Sequence, residues 1–118
     1  MRLLVCGSRD YKDPTVMNSL AGMLTDHDVL IHGNAPGADR LFAWCAKWTG
    51  CDVKRFDADW TKYGKAAGPI RNQRMLDEGK PDLVLAFINK PLVESRGTFD
   101  MVQRAKDAGV QVYVVQSL

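Results

Sequence analysis

Short apolar blocks, each closed by a polar or glycine-containing turn, alternate along this chain with amphipathic stretches. Leu3-Leu4-Val5-Cys6 stops at Gly7-Ser8-Arg9. Asp13-Pro14 then makes a helix start, with Asp as N-cap and Pro in the first helical position. Val16, Leu20, Met23 and Leu24 follow at the spacing of an amphipathic stripe. Val29-Leu30-Ile31 is the second block, ending at His32-Gly33-Asn34-Ala35-Pro36-Gly37. Leu41, Trp44, Cys45 and Trp48 predict a helix from about Gly37, with Gly50 as its C-terminal stop. Val53 to Phe56 reads as a third strand, interrupted by Lys54 and Arg55 as an edge strand would be. Residues 57–67 carry aromatics and charges without a clean period. Pro69 opens a further helix with Ile70, Met75 and Leu76 apolar and Gly79 as its stop. Leu83 to Phe87 is apolar throughout; a polar loop leads to Gly97-Thr98, a helix to Gly109, and a last strand, Val112 to Val115.

The resulting order is β-α-β-α-β-α-β-α-β, with strands expected near residues 2–6, 28–32, 52–56, 82–87 and 111–115. Such alternation implies right-handed crossovers and a parallel sheet with helices on both faces. The apolar runs are continuous rather than alternating, as in strands buried on both sides. Five strands make a minimal doubly wound α/β domain spanning residues 1–118. Spacing alone fits strand order 3-2-1-4-5 and order 2-1-3-4-5 equally well.

Composition narrows the function classes. Sixteen Lys plus Arg against fourteen Asp plus Glu leave a formal charge of +2, so any basic site must be local. The longest apolar run, Leu83 to Ile88, is six residues, far below the roughly 20 of a membrane helix. One Arg and four apolar residues before Gly7 form no signal-peptide core. The chain therefore reads as cytoplasmic, with no membrane partner. Cys6, Cys45 and Cys51 show no Cys-x-x-Cys spacing, and only His27 and His32 could join them, so neither a metal nor another cofactor is expected. Cys6 and Cys45 read as small buried hydrophobes.

In an open parallel sheet, ligands bind beyond the carboxyl ends of the strands, where the order reverses. Four of the five post-strand segments are unusual here: Gly7-Ser8-Arg9-Asp10, then Gly33 to Arg40, then the segment holding Trp60, Tyr63, Lys65, Gly68, Arg71, Asn72 and Arg74, then Arg96-Gly97-Thr98. Glycines at strand-to-helix turns admit a phosphate close to the backbone, and helix N-termini offer free N–H donors. Either turn alone is ordinary turn chemistry, and neither matches Gly-x-Gly-x-x-Gly or a nucleoside-triphosphate loop. Together with Arg9, Arg71 and Arg74 they point to an anion. Arg71 and Arg74, three apart near a helix start and close to Asn72, suit a forked grip. Trp60 and Tyr63 could stack on a base or belong to the core. Asp39, Asp59 and Asp100 could act as acids or bases, or Asp39 and Asp100 could face the dipoles of their helices. Ser8 sits in no nucleophile-elbow motif.

Together, Gly7-Ser8-Arg9, Gly33-x-x-Pro36-Gly37-Ala38-Asp39, Ala58-Asp59-Trp60 with Tyr63, Ala67-Gly68-x-x-Arg71-Asn72-x-x-Met75, and Gly97-Thr98 with Asp100-Met101 resemble the YspA-like branch of the SLOG superfamily. That superfamily groups the DNA-processing protein DprA with the cytokinin-activating LOG phosphoribohydrolases. The resemblance covers nearly the whole chain. It implies a Rossmann-like domain of strand order 3-2-1-4-5, bringing strands 1, 2 and 4 together. It also implies a nucleotide-type ligand above those strands, and a small stand-alone member of the kind found in phage and mobile elements.

On this resemblance the ligand-binding residues are Gly7, Ser8, Arg9, Gly33, Asn34, Ala35, Gly37, Ala38, Asp39, Arg71, Asn72, Arg74, Gly97 and Thr98, with Trp60 and Tyr63 as stacking surfaces. In an N-glycosidic hydrolase of LOG type, Arg71 would clamp phosphate, and Asp100, or next Asp39, would stabilise the ribose cation. The LOG glutamate follows Pro-Gly-Gly-x-Gly-Thr, whereas Glu94-Ser95-Arg96 precede Gly97 here and Met101 stands in the glutamate's place. Two alternatives stand beside hydrolysis. One is a single-strand nucleic-acid module resembling DprA, using Lys62, Lys65, Arg71 and Arg74 beside Trp60 and Tyr63. The other is a nucleotide sensor or sequestering protein without turnover. The sequence leaves a homodimer open.

Overall fold

The computed structural model describes residues 1–117. Five strands, β1 (Arg2–Gly7), β2 (Val29–His32), β3 (Asp52–Arg55), β4 (Leu83–Ile88) and β5 (Gln111–Gln116), form one sheet in the order β3-β2-β1-β4-β5. Every pairing is parallel, with Leu3 opposite both Leu30 and Leu83 and with Gly7 opposite Phe87. Of the two orders compatible with spacing, this is the one that puts the carboxyl ends of β1, β2 and β4 side by side.

The apolar runs are continuous because both faces of the central strands are covered. Leu3 and Val5 face one core with Met17, Phe42 and Phe87, beneath α1 (Pro14–Ala21) and α2 (Ala38–Ala46). Leu4 and Cys6 face the other with Ile31, Met75, Val84 and Met101, beneath α4 (Ala67–Gly79) and α5 (Arg96–Asp107). The two-residue period of a strand sends successive side chains to opposite layers. A short α3 (Trp60–Tyr63) lies in the segment without clean periodicity. Among the described residues no helix is long and apolar enough to cross a membrane.

Local chemistry sets the helix starts. The Asp13 carboxylate accepts the Thr15 N–H at 2.9 Å, the expected N-cap. Gly37 holds φ +83° before α2, and a Cβ there would run into the carbonyls of Ser8 and Arg9. Any L side chain would be excluded on both counts. The Ala38 N–H, next in the chain, donates to the Ser8 carbonyl at 3.1 Å and ties this turn to the end of β1.

Several expectations require correction. The buried stripe of α2 is Ala38, Phe42 and Ala46, while Trp44 is 63% and Trp48 83% exposed. Two residues along a helix is a rotation of about 200°, so Trp44 points away from Phe42; the small alanines, not the tryptophans, mark the core side. In the same way Val16 and Met23 are exposed beside buried Met17 and Ala21. The third long helix opens two residues before Pro69 and stops on Lys80 in the left-handed region, φ +49°. Gly79 is its last helical residue, and a Cβ there would meet the Ile31 side chain at 3.2 Å, so this glycine serves close helix–sheet packing. β5 is an edge with Tyr113 and Val114 exposed, not a strand buried on both sides.

Candidate functional site

Above the ends of β1, β2 and β4 the post-strand loops enclose a cleft. Its first lobe, about 370 Å³, is lined by Gly7, Arg9, Asp39, Arg71, Asn72 and the Ser95–Thr98 turn, among others. The second, about 380 Å³, lies between the Gly33–Pro36 loop and Trp60. Arg9, Ala35 and Arg71 line both.

Arg71 is the centre of the arrangement. From the second turn of α4 its Nη1 donates to the Gly33 carbonyl at 2.6 Å and its Nε to Asn72 Oδ1 at 3.0 Å. Gly33 is required for this. A Cβ on Gly33 would overlap the Arg71 guanidinium, so the glycine makes room for an arginine rather than for a ligand. Asn72 donates in turn to the Gly97 carbonyl at 3.3 Å and to Asp100 Oδ2 at 2.9 Å, joining α4 to the start of α5. Among the described residues neither Arg71 nor Arg9 has a carboxylate within ion-pair distance. Burial lowers Arg71 from the ordinary guanidinium pKa; Asp39 opposes the shift and the positive charge of Arg9 adds to it.

Asp39 organises the loop after β2. Only 5% exposed, its Oδ2 accepts the Gly33 N–H at 2.9 Å and the Ala35 N–H at 3.4 Å. Burial raises its pKa from 3.8 to about 6, against the two amides and Arg71, which pull it down. The buried His32 closes the loop from below, its Nδ1 accepting the Asn34 N–H at 2.9 Å. Desolvation, with Arg55 adding, lowers this imidazole to about 4, so it is neutral at pH 7. Asn34 takes φ +54°, and its Oδ1 accepts from Arg40 Nε at 3.3 Å.

On the other side, α5 begins without a side-chain bond to its first-turn amides. The Ser95 hydroxyl donates to Thr98 Oγ1 at 2.9 Å instead. A Cβ at Gly97 would meet nothing within 4 Å, so the backbone there opens directly onto the cleft. A glycine here leaves room for a group to come close to the backbone.

The remaining expected residues fall in three groups. Trp60, half exposed, lines the second lobe with the Arg9 guanidinium 5.9 Å from its ring centroid. Ser8 and Ala38 lie beneath the cleft, wholly buried, and hold the turns together through their backbones. Arg74 and Tyr63 are not brought into the cleft: Arg74 pairs with Glu78 at 2.9 Å, and Tyr63 carries Lys62 over its ring. The forked grip of Arg71 with Arg74 is therefore not formed. Asp100 does not line either lobe; it is held by Asn72 and by Arg104 Nε at 2.8 Å. Burial pushes the Cys6 thiol well above its usual range, which disfavours the thiolate form a nucleophile would need. Lys90 and Glu94 line the first lobe and were not anticipated, while Arg96 beside them belongs to the post-strand segment that the sequence singles out. Lys90 and Glu94 sit in the β4–α5 loop and Arg96 opens α5, where the rule that ligands bind beyond strand ends would have flagged any charge.

A doubly wound parallel sheet of order β3-β2-β1-β4-β5 with helices on both faces defines a Rossmann-like domain, and its cleft lies at the switch point of the sheet. Residues 1–63 match the family model described as "YspA, cpYpsA-related SLOG family". The chain is also 39% identical over 120 aligned positions to the Gene 61 protein of Mycobacterium phage D29, covering 94% of this chain and 93% of that one. The chain belongs to the YspA, cpYpsA-related SLOG family.

Proposed function

We propose that this protein binds a nucleotide or nucleotide-derived ligand through its phosphate, above β1, β2 and β4. The observation that carries the reading is the pair of guanidinium groups, Arg9 and Arg71, lining one cleft with no carboxylate partner among the described residues. Phosphate oxygens accept charge-assisted hydrogen bonds from guanidinium donors. Gly97 and the uncapped start of α5 supply backbone donors on the opposite wall. Membership of a SLOG family supports a nucleotide-related ligand. Thermal-shift screening against nucleoside monophosphates, cyclic nucleotides, ADP-ribose and NAD tests it. A ligand at 100 times its Kd stabilises by about 2.7 kcal/mol, roughly 10 °C in Tm for a domain of this size. The shift is expected to be lost in Arg71→Ala and reduced in Arg9→Ala. No shift with any of these ligands at millimolar concentration contradicts the reading.

A second reading, N-glycosidic hydrolysis at the same site, is favoured by Asp39, a nearly buried carboxylate on the cleft wall with a pKa of about 6. At pH 7 it is ionised and beside the bound sugar, where negative charge stabilises the ribose cation as the base leaves. Water then adds to the sugar carbon and the base departs with a proton. Asp100, held by Asn72 and Arg104, acts in this reading by positioning Asn72 and with it Arg71. Release of free base by the parent, abolished in Asp39→Asn, is the expected result for an enzyme. Tight binding with no release leaves a binding protein.

A further inference from the structure

Two tryptophans that the hydrophobic pattern assigns to the core lie on the surface, on the β3 side of the sheet. Trp44 and Trp48, about one helical turn apart, are 63% and 83% exposed. Together they bare roughly 200–350 Å² of aromatic surface, a large part of the about 800 Å² that each partner buries in a stable interface. Trp44 lines a groove of about 610 Å³ together with Cys51, Val53 and Arg55. Val53 takes the α2 side of the sheet, because it stands opposite Leu30 of the core beneath α2. Asp52 and Lys54, opposite Val29 and Ile31, take the other side.

β3 is an edge strand exposed at all four positions. The Asp52 and Phe56 N–H groups donate inward to the Asp28 and His32 carbonyls, so Val53 and Arg55 turn their backbone groups outward. The Val53 N–H donates to the carboxylate of its own neighbour Asp52 at 3.0 Å. Charges on an edge strand guard it against indiscriminate pairing. Here they also select a partner, for Asp52-Val53-Lys54-Arg55 is complementary to itself in one antiparallel register. Centred on Asp52, Lys54 or Arg55, a pair of such strands sets that residue against its own like charge. Centred on Val53, it sets Asp52 against the partner's Lys54, and Lys54 against the partner's Asp52, at the closer spacing of non-hydrogen-bonded pairs. Val53 then exchanges both backbone bonds with the partner's Val53, while Asp52 turns from the Val53 N–H to the partner's lysine. On the α2 side the two valines meet beside the Trp44 of each copy.

We infer that β3 is the interface of a homodimer, two copies joined antiparallel about Val53 into one continuous sheet, with Trp44 and Trp48 covered beside it.

Sedimentation equilibrium of the full chain tests this. Standard interfaces bind at micromolar affinity or tighter, so the parent is expected as a dimer at about 100 μM. Asp52→Lys and Lys54→Asp each set like charges against one another and should weaken dimerisation about tenfold or more. An equimolar mixture of the two variants restores every opposite pairing and should recover the dimer, which a folding defect would not allow. Trp44→Ala should weaken dimerisation about tenfold or more, as loss of an interface tryptophan does. A parent that stays monomeric at that concentration overturns the inference; quenching of its tryptophan emission by a single-stranded oligonucleotide would then assign the surface to nucleic acid. A dimer indifferent to both charge reversals or to Trp44→Ala overturns it too, as does a mixture of the two folded variants that fails to recover the dimer.

Discussion

Gly33 and Arg71 are coupled so closely that a single methyl group decides where the guanidinium lies. Gly33→Ala places a Cβ within the Arg71 guanidinium, which is the mobile end of a long side chain. The arginine moves and the backbone stays. The expected outcome is a stability change within about 1 kcal/mol, because the surroundings relax by rotamer change. Nucleotide affinity should fall about tenfold, the scale of one hydrogen bond to a charged group; chemical denaturation and calorimetry on the same variant check both. Asp39 makes a prediction in pH. Its folded-state pKa, about 6, lies above the unfolded value of 3.8, so the folded chain holds the extra proton between them. Stability from this group is therefore fully present below about pH 3.8 and is lost as pH rises through 6. Asp39→Asn keeps an acceptor for the two amides and removes the titration. Parent stability minus variant stability should fall across pH 4 to 6, by at most on the order of 3 kcal/mol, and be flat above. A difference that rises with pH would contradict the assignment.

At the scale of elements, the cleft is assembled by helix starts and the links between them. Asn72 on α4 and Asp100 on α5 are bonded, and Arg104 braces the pair from the next turn while its Nη1 reaches Gln73 at 3.0 Å. Asp100→Ala breaks this bracing at a stability cost of about 0.2–1 kcal/mol, as for a partly exposed ion pair. It should weaken nucleotide binding more than it weakens the fold. Phe42→Ala should do the reverse. Phe42 is wholly buried between α2 and the sheet against Phe87, with ring centroids 5.6 Å apart. Removing it costs about 3–5 kcal/mol and leaves affinity per folded molecule unchanged.

These elements also show what a sequence reveals. The central strands were legible because they are buried on both sides: Leu83 to Phe87 has no polar position to confuse the period. The α2 stripe was not, since tryptophans outweigh alanines in any reading by hydrophobicity, and nothing in the order of residues says that Ala38 and Ala46 face inward. The turn glycines were legible as a group, but their separate tasks were not. Gly33 admits Arg71, Gly37 takes the left-handed turn, Gly79 packs on Ile31 and Gly97 opens the cleft. Those roles depend on contacts between segments 25 or more residues apart, such as Gly33 with Arg71 and Asn72 with Gly97. Arg74 illustrates the same limit, for its spacing from Arg71 suits a shared anion while Glu78, one turn on, holds it elsewhere.

For the whole molecule, topology creates the cleft, and on the proposed reading charge selects its ligand. A net charge of +2 over 118 residues gives little long-range attraction to polyanions. The positive groups that matter are concentrated above the sheet, where Arg9, Arg71, Lys90 and Arg96 line one lobe against Asp39 and Glu94. Recognition should therefore depend on phosphate itself rather than on the base or the sugar alone. The most direct measurement is paired calorimetric titration of each common nucleoside monophosphate and its own nucleoside, in the parent and in Arg71→Ala. At least one monophosphate is expected to bind about tenfold or more tightly than its nucleoside, with the advantage lost in Arg71→Ala. Equal binding of every nucleotide and its nucleoside, or an advantage that survives Arg71→Ala, would contradict a phosphate site built on this arginine.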